Sequence, residues 1–345
     1  MKCLHWSSRN IVRRAISVVA HLFKPARNSI YKATDLSRAT LATCLRRASA
    51  ERSQKPSPDI LLRRLKQVDE RELEQTLERE NRKLLRRLKL PRRPLIALDY
   101  RTLPYYGADR PELVSSSELP GTTRGVRFAM LSVVESKRTL TLRACQVTPF
   151  DTHIGVLQRM LAGLPLRPSL LLLDRGFYAV EVVLALTSMG IHFIMPAPRT
   201  TGIKRLIESF ERGEVPACTE YEMHGRGGRA KVRLMFLRRR TDDGWLTFAF
   251  ISDLLLDPAV AAVLYSCRWR IETNNRELKK FMARTTSRDM KLRRIYYSLA
   301  ALLYNLWIVL RQAAGMFRSY EFKQALIVEL EFSFVAWTAE HPPPL

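Results

Sequence analysis

The stretches L-I-A-L-D at residues 95–99 and L-L-L-L-D at residues 170–174 decide the expected fold. Each is a short, continuous run of aliphatic side chains, which predicts a β-strand that is covered on both faces. Each run ends in an acid, Asp99 in the first and Asp174 in the second. One such acid is an ordinary strand terminator, but ligands bind beyond the strand ends of open α/β sheets. Two acids in this position therefore suggest a site.

The residues around these runs predict a mixed α/β sheet with helices on its faces. Stretches rich in apolar and β-branched residues indicate strands, and apolar residues at helical spacing indicate helices. The expected order is a strand at 95–98, strands at 126–134 and 139–147, a helix at 152–161, a strand at 170–173, a helix at 177–189 and a strand at 191–195. Residues 199–252 are interpreted as a mostly β insertion with strands at 231–237 and 245–251.

A third acid, Glu272, lies in a stretch of helical character, Y-S-C-R-W-R-I-E-T-N-N-R-E-L-K-K at residues 265–280. Asp257 followed by Pro258 is a typical helix start, and no later proline or glycine interrupts this stretch, so we expect one helix. At about 100° per residue, one face of this helix carries Tyr265, Arg268, Glu272 and Lys279. The apolar residues form a separate face: Val260, Leu264, Ile271, Leu278 and Phe281. Taken alone, exposure to solvent explains the charged face equally well.

The charge of the chain indicates its partner. The 345 residues include 58 Lys and Arg against 33 Asp and Glu, a formal net charge of +25. This excess indicates a polyanion, most simply nucleic acid. An anionic membrane surface would attract the chain as well. However, the best apolar run, residues 299–310, contains Asn305 and is too short to span a bilayer, so we expect no membrane partner.

The cysteines argue against a zinc site and against secretion. The five cysteines are scattered along the chain and form no C-x-x-C pair. This usage fits reduced thiols in a cytoplasm. The N-terminus has a short apolar patch at residues 16–22 but no small-residue cleavage site, so a cytoplasmic location is expected.

The N-terminal third is expected to be helical. Residues 1–58 carry mostly basic charges and form a candidate DNA-binding region. Within them, residues 28–48 predict two short helices with a break near residues 35–37, where Ser37 would cap the second. This pattern fits either a DNA-binding helix-turn-helix or an ordinary helical pair with a basic surface. Residues 59–94 are expected to be a helical connector, formed by one surface helix or a helix pair.

The three acids suggest a particular chemistry. Asp99, Asp174 and Glu272 offer hard oxygen ligands, which suit Mg²⁺ or Mn²⁺. Acids that cluster in a basic protein would repel one another unless a cation joined them. The sequence has no His/Cys cluster that would offer zinc as an alternative.

At this point the sequence resembles a known family, the DDE transposases of insertion sequences, in particular the insertion-sequence-4-like type. The resemblance rests on L-I-A-L-D-Y-R around Asp99, on L-L-L-L-D-R-G-F-Y around Asp174, and on the family's Y-x₂-R-x₃-E-x₆-K signature. Tyr265, Arg268, Glu272 and Lys279 fit that signature at every spacing. The resemblance covers about residues 95–307. It implies a ribonuclease-H-like mixed sheet with flanking helices, interrupted by a mostly β insertion and preceded by a helical N-terminal region. The catalytic domain would comprise residues 95–198 and 253–312, with the insertion at 199–252 and a helical tail at 313–345.

The resemblance also implies an activity. Asp99, Asp174 and Glu272 would hold two Mg²⁺ ions, with Mn²⁺ as a substitute. DNA would be contacted by Tyr265, Arg268, Lys279, Arg175 and Arg276. The enzyme would cut double-stranded DNA at transposon terminal inverted repeats and transfer the strands into target DNA, as a homodimer on paired ends in a prokaryotic cytoplasm. Two alternatives stay open: a catalytically silent, transposase-derived DNA-binding protein, and another ribonuclease-H-like DNA nuclease.

Overall fold

The computed structural model of the chain describes residues 8–117, 119–136, 138–225, 227–242, 244–314 and 318–340. Residues 1–7 and 341–345, at the ends of the two expected terminal regions, lie outside the described residues. The chain divides into two compact units. The helical unit comprises Met1–Lys89 and Asn274–Leu345, and the sheet unit comprises Leu90–Thr273.

The elements follow one another in this order. The helices are α1 (Ser8–Ala20), α2 (Ala33–Arg46), α3 (Pro58–Gln67), α4 (Glu70–Leu85), α5 (His153–Leu161), α6 (Val180–Ser188), α7 (Thr201–Glu211), α8 (Pro258–Ser266), α9 (Trp269–Lys279), α10 (Met290–Ala314) and α11 (Ser319–Glu340). The strands are β1 (Leu95–Pro104), β2 (Val114–Ser115), β3 (Arg124–Glu135), β4 (Arg138–Val147), β5 (Leu170–Leu173), β6 (Phe193–Pro196), β7 (Cys218–Gly225), β8 (Gly228–Thr241) and β9 (Gly244–Ser252).

The described strands form one mixed sheet. Its order is β2-β3-β1-β5-β6-β9-β8-β7, and β4 pairs with β3. The pairs β1/β5 and β5/β6 are parallel, and the other pairs are antiparallel. The run 95–98 and all four leucines of β5 are buried, as expected for strands that are covered on both faces. The expected mixed sheet with flanking helices and a helical N-terminal region is therefore confirmed.

The segment 199–252 extends the central sheet. Strand β9 pairs antiparallel with β6, with Ile194 opposite Ser252, so that β9, β8 and β7 continue the sheet beyond β6. The segment also contains helix α7, which the sequence analysis missed. The Thr200 side chain caps α7 by accepting a hydrogen bond from the Ile203 N–H at 3.4 Å. The sequence could not show the β6/β9 pairing because strand partners far apart in the chain leave no local pattern.

The expectation of two short helices within residues 28–48 is wrong. The chain forms the single helix α2 there, and its start is held by a hydrogen bond from the Lys32 N–H to Asp35 Oδ2 at 2.9 Å. Ser37 is fully buried rather than capping, and its hydroxyl donates to the Ile16 carbonyl of α1 at 2.8 Å. Ser37 therefore lies inside α2 and is buried against α1. Residues 28–48 do not form the expected helix-turn-helix.

The remainder of the helical unit agrees with the sequence more closely. Helices α3 and α4 form a helix pair, one of the two arrangements expected there, and Asp69 caps α4 by accepting from the Glu72 N–H at 3.0 Å. Helix α10 is almost entirely buried over residues 295–310. Its Asn305, also buried, donates to Asn81 of α4 at 2.8 Å. Among the described residues, no helix combines the length and apolar character needed to cross a membrane.

Candidate active site

Asp99 and Asp174 lie side by side at the C-terminal end of β5, where its parallel pairing with β1 stops. The register pairs Leu98 of β1 with Leu173 of β5, so each acid is the next residue along its strand. Neighbouring strands are about 4.8 Å apart, which brings the two acids close together. Asp99 is only 7% exposed, whereas Asp174 is half-buried and precedes a single 3₁₀ turn, Arg175–Phe177.

The helix expected through residues 258–280 is broken, and the single-helix prediction is wrong. Helix α8 ends at Ser266 and α9 begins at Trp269. At the break, the N–H groups of residues 267, 268, 270 and 271 each donate to the carbonyl three residues earlier, at 2.8–3.1 Å. This tighter, 3₁₀-like turn contains neither proline nor glycine and was not visible in the sequence. The expected apolar face is also incomplete, because Val260 is 49% exposed.

Arg268, at the break, connects two of the three acids. Its Nη1 lies 3.1 Å from Asp99 Oδ2, and its Nη2 lies 3.1 Å from Glu272 Oε1. Its guanidinium carbon is 5.5 Å from the centre of the Tyr265 ring. Arg268 is itself buried. The structure thus brings Tyr265, Arg268 and Glu272 together with Asp99, which is more than 160 residues away in the chain.

The electrostatics place Asp174 in the same cluster. The pKa of Asp99 is raised to about 6: burial raises it most, the negative charges of Asp174 and Glu272 also raise it, and Arg268 and the Tyr100 N–H lower it. Burial opposes the charge of Arg268, but its pKa is still raised, because Tyr265 and all three acids stabilise the cation. Burial also raises the pKa of Tyr265.

The donor set of this cluster fits a divalent cation. Its acids supply hard oxygen ligands, and the negative charges of Asp174 and Glu272 both raise the pKa of Asp99, a repulsion that a bound cation would relieve. The side chains are not arranged as a finished metal centre. Over the described residues, no three His, Cys, Asp or Glu side chains are grouped so that they could hold a metal ion. The guanidinium of Arg268 lies between two of the candidate ligands instead.

The other expected DNA-contacting residues follow Asp174 or Glu272 within a few residues of the sequence. Arg175 is exposed in the 3₁₀ turn directly after Asp174. Arg276 is exposed and Lys279 is half-buried; both lie in the part of α9 that belongs to the helical unit. The sequence analysis missed Arg270, whose Nη1 donates to the Val134 carbonyl of β3 at 2.6 Å. This bond ties the start of α9 to the sheet, and no sequence pattern signals it.

Comparisons with known proteins point in one direction. The family model described as "Transposase DDE domain" matches residues 92–306. Among solved structures, the chain is similar to the cryo-EM structure of a piggyBac transposase synaptic complex with hairpin DNA. The TM-score is 0.63 at 12% sequence identity, over 99% of this chain and 83% of that chain, so the likeness concerns the fold alone. No curated protein matches the chain in sequence.

Proposed function

The chain belongs to the transposase DDE domain family, and we propose that it cuts DNA at the ends of a transposon and joins those ends to target DNA. DDE transposases generally catalyse DNA cleavage and strand transfer with the help of divalent metal ions. One observation carries the proposal: the buried guanidinium of Arg268 contacts both Asp99 and Glu272 at 3.1 Å, and the strand register sets Asp174 beside Asp99.

The roles of the acids follow from their chemistry. They would hold two Mg²⁺ ions, with Mn²⁺ as a substitute, and divalent ions at such a site activate the attacking oxygen and stabilise the leaving oxygen of a phosphodiester. Asp99 is mostly ionised at pH 7.5 because its pKa, although raised, is about 6. Arg268 offsets part of the charge of the acids, so that a DNA phosphate is repelled less. Its planar, multidentate guanidinium also suits phosphate oxygens.

The proposed reaction has two steps. In the first, water attacks the phosphodiester at the end of the element and frees a 3′-hydroxyl. In the second, that hydroxyl attacks a target phosphodiester in line, so that the new P–O bond forms as the target's P–O3′ bond breaks and its 3′-hydroxyl leaves, with no covalent bond to the enzyme. Tyr265 and Arg268 would hold the phosphates of the transposon end, and Arg175, Arg276 and Lys279 would contact the DNA further along.

The finer assignment and the partners belong to the same proposal. The spacing of Tyr265, Arg268, Glu272 and Lys279 favours the insertion-sequence-4-like type. Double-stranded DNA is the expected partner because the net charge is +25 and because the similar solved structure is a transposase–DNA complex. Two ends must be cut and joined together, so a homodimer on paired ends is expected. Residues 1–58 would contribute to end binding through their basic charge.

The test is a cleavage assay on the DNA that flanks the gene. Plasmids that carry each flank are incubated with Mg²⁺ or Mn²⁺ and with the parent, Asp99→Asn, Asp174→Asn or Glu272→Gln protein. The parent should nick at the terminal repeats, and each variant should bind the same DNA without nicking it. Asp253→Asn is the matched control, because this acid is in the same unit but pairs with His192 at 2.6 Å, away from the cluster. It should cut like the parent.

Three other results would lead elsewhere. Nicking by all three acid variants at the parental rate would refute the assignment of the site. DNA binding without cleavage by the parent, with either cation, would indicate the catalytically silent alternative. Cleavage of branched DNA without strand joining would indicate another ribonuclease-H-like nuclease.

A further inference from the structure

Two aromatic residues follow the paired acids closely in the chain. Tyr100 follows Asp99 on β1, and Phe177 ends the 3₁₀ turn that follows Asp174. The two rings are stacked, with centroids 4.7 Å apart and planes inclined by 15°. Phe177 is completely buried. Successive side chains of a strand point to opposite faces, so the Tyr100 ring lies on the face of β1 opposite the Asp99 carboxylate. Tyr100 contacts that carboxylate through its backbone N–H, which donates to Asp99 Oδ1 at 2.9 Å.

The stack acts where the strand pairing stops. The pairing of β1 with β5 ends at Leu98 and Leu173, one residue before the two acids. Beyond it, Asp174 enters a tight turn in which the Phe177 N–H donates to the Asp174 carbonyl at 3.0 Å. The position of the Phe177 ring is therefore coupled to the backbone of Asp174 over three residues. The ring stack therefore joins β1 to the turn after β5, beyond the last hydrogen-bonded residues of the two strands.

The Tyr100 ring is held from other sides as well. Its hydroxyl oxygen lies within hydrogen-bond distance of His153 Nδ1, at 3.1 Å. The His153 ring meets Phe177 edge-on, with centroids 5.6 Å apart at 64°. The guanidinium of Arg127 lies 5.7 Å from the centre of the Tyr100 ring. Strand β3 and helix α5 thus fix Tyr100, and Tyr100 can in turn fix Phe177.

We propose that the stack of Tyr100 on Phe177 is a positioning element that holds Asp174 beside Asp99 at the spacing that two shared cations require. Phe177 is buried and the Tyr100 ring lies on the face of β1 opposite Asp99, so we class both as positioning residues rather than catalytic ones. The inference rests on the proposed function, because that function makes the two acids ligands. Partners that orient metal ligands commonly change metal affinity 10–100-fold when they are replaced.

The test measures Mn²⁺ binding to the DNA-free full-length chain by electron paramagnetic resonance of the unbound ion, at pH 7.5. Phe177→Leu should raise the dissociation constant about tenfold or more. Phe193→Leu is the matched control, because Phe193 on β6 is equally buried in the same sheet but lies outside the stack. It should bind Mn²⁺ within about twofold of the parent. Tyr100→Phe keeps the ring and loses only the hydroxyl, so it should also retain the parental affinity.

Each outcome decides the inference. Parental Mn²⁺ affinity in Phe177→Leu, or an equal loss in Phe177→Leu and Phe193→Leu, would overturn it. If circular dichroism shows that Phe177→Leu does not fold, Tyr100→Leu removes the same stack from the other side and should show the same loss. Asp99→Ala and Asp174→Ala distinguish a failure of the proposed function from a failure of the positioning role. If these variants bind Mn²⁺ like the parent, the proposed function fails; if they lose binding while Phe177→Leu keeps it, only the positioning role fails.

Discussion

Replacing Asp99 with asparagine should stabilise the protein at neutral pH when divalent cations are absent. Burial, together with the charges of Asp174 and Glu272, raises the pKa of Asp99 from 3.8 to about 6 in the folded protein. One pKa unit corresponds to about 1.36 kcal/mol, so ionising Asp99 in the folded protein costs about 3 kcal/mol more than in the unfolded chain. Asparagine carries no charge and avoids this cost, while Arg268 keeps its contact with Glu272.

The pH dependence follows from proton linkage. Between pH 3.8 and about 6, the folded protein retains a proton on Asp99 that the unfolded chain has released. The free energy of unfolding of the parent therefore falls as the pH rises through this window. The stability that protonated Asp99 supplies is fully present below pH 3.8 and is lost above about pH 6. Since asparagine does not titrate, the advantage of Asp99→Asn should grow from near zero at pH 4 to about 3 kcal/mol at pH 7.5.

Differential scanning calorimetry in EDTA at pH 4, 5, 6 and 7.5 measures this difference. At pH 7.5, Asp99→Asn should melt roughly 6–12 °C above the parent, given about 2–4 °C per kcal/mol for a unit of this size. Adding Mn²⁺ should raise the Tm of the parent but not that of the variant, because only the parent retains the full set of ligands. Asp151→Asn is the control, and its change in Tm should have the opposite sign. Hydrogen bonds from Thr148 hold the pKa of Asp151 below its ordinary value in spite of partial burial, so this variant should melt lower at pH 7.5.

Two results would refute the reasoning. The first is an Asp99→Asn Tm at or below that of the parent at pH 7.5 in EDTA. The second is a Tm difference that stays the same at every pH, which would mean that ionisation of Asp99 is not its cause.

Three further predictions concern cations around the site. Arg268→Gln should raise the pKa of Asp99 above about 6, because the repulsion from Asp174 and Glu272 is no longer offset. The same calorimetric pH series, run on Arg268→Gln with and without Asp99→Asn, measures this change. An unchanged pH dependence of the Tm difference would contradict it. Lys279→Ala should reduce the slope of log K against log salt for duplex DNA by about 0.9 for each lost phosphate contact, while Lys66→Ala, an exposed cation on α3, should leave the slope unchanged. Arg270→Ala should cost about 1.5–3 kcal/mol of unfolding free energy in urea titrations, because it removes a charged hydrogen bond to a β3 carbonyl; an unchanged midpoint would contradict that role.

Much of the fold could be read from local patterns. The apolar runs at 95–98 and 170–173 predicted two buried strands because their composition and length carry that information by themselves. The acids that end those runs became neighbours because the strands are parallel and in register. The proximity of Tyr265, Arg268 and Glu272 also followed from their spacing along one short stretch, and it survives the break between α8 and α9.

Other features were decided by the tertiary structure alone. The sequence gives no sign that β9 pairs with β6, that Ser37 packs under α1, or that the helix breaks before Trp269. It also does not reveal that Arg268 reaches Asp99 or that Tyr100 stacks on Phe177. Apart from the helix break, each of these features joins residues that are far apart in the chain. Local periodicity records which face of an element is apolar, but the free energy that selects its partner is summed over the whole packed structure.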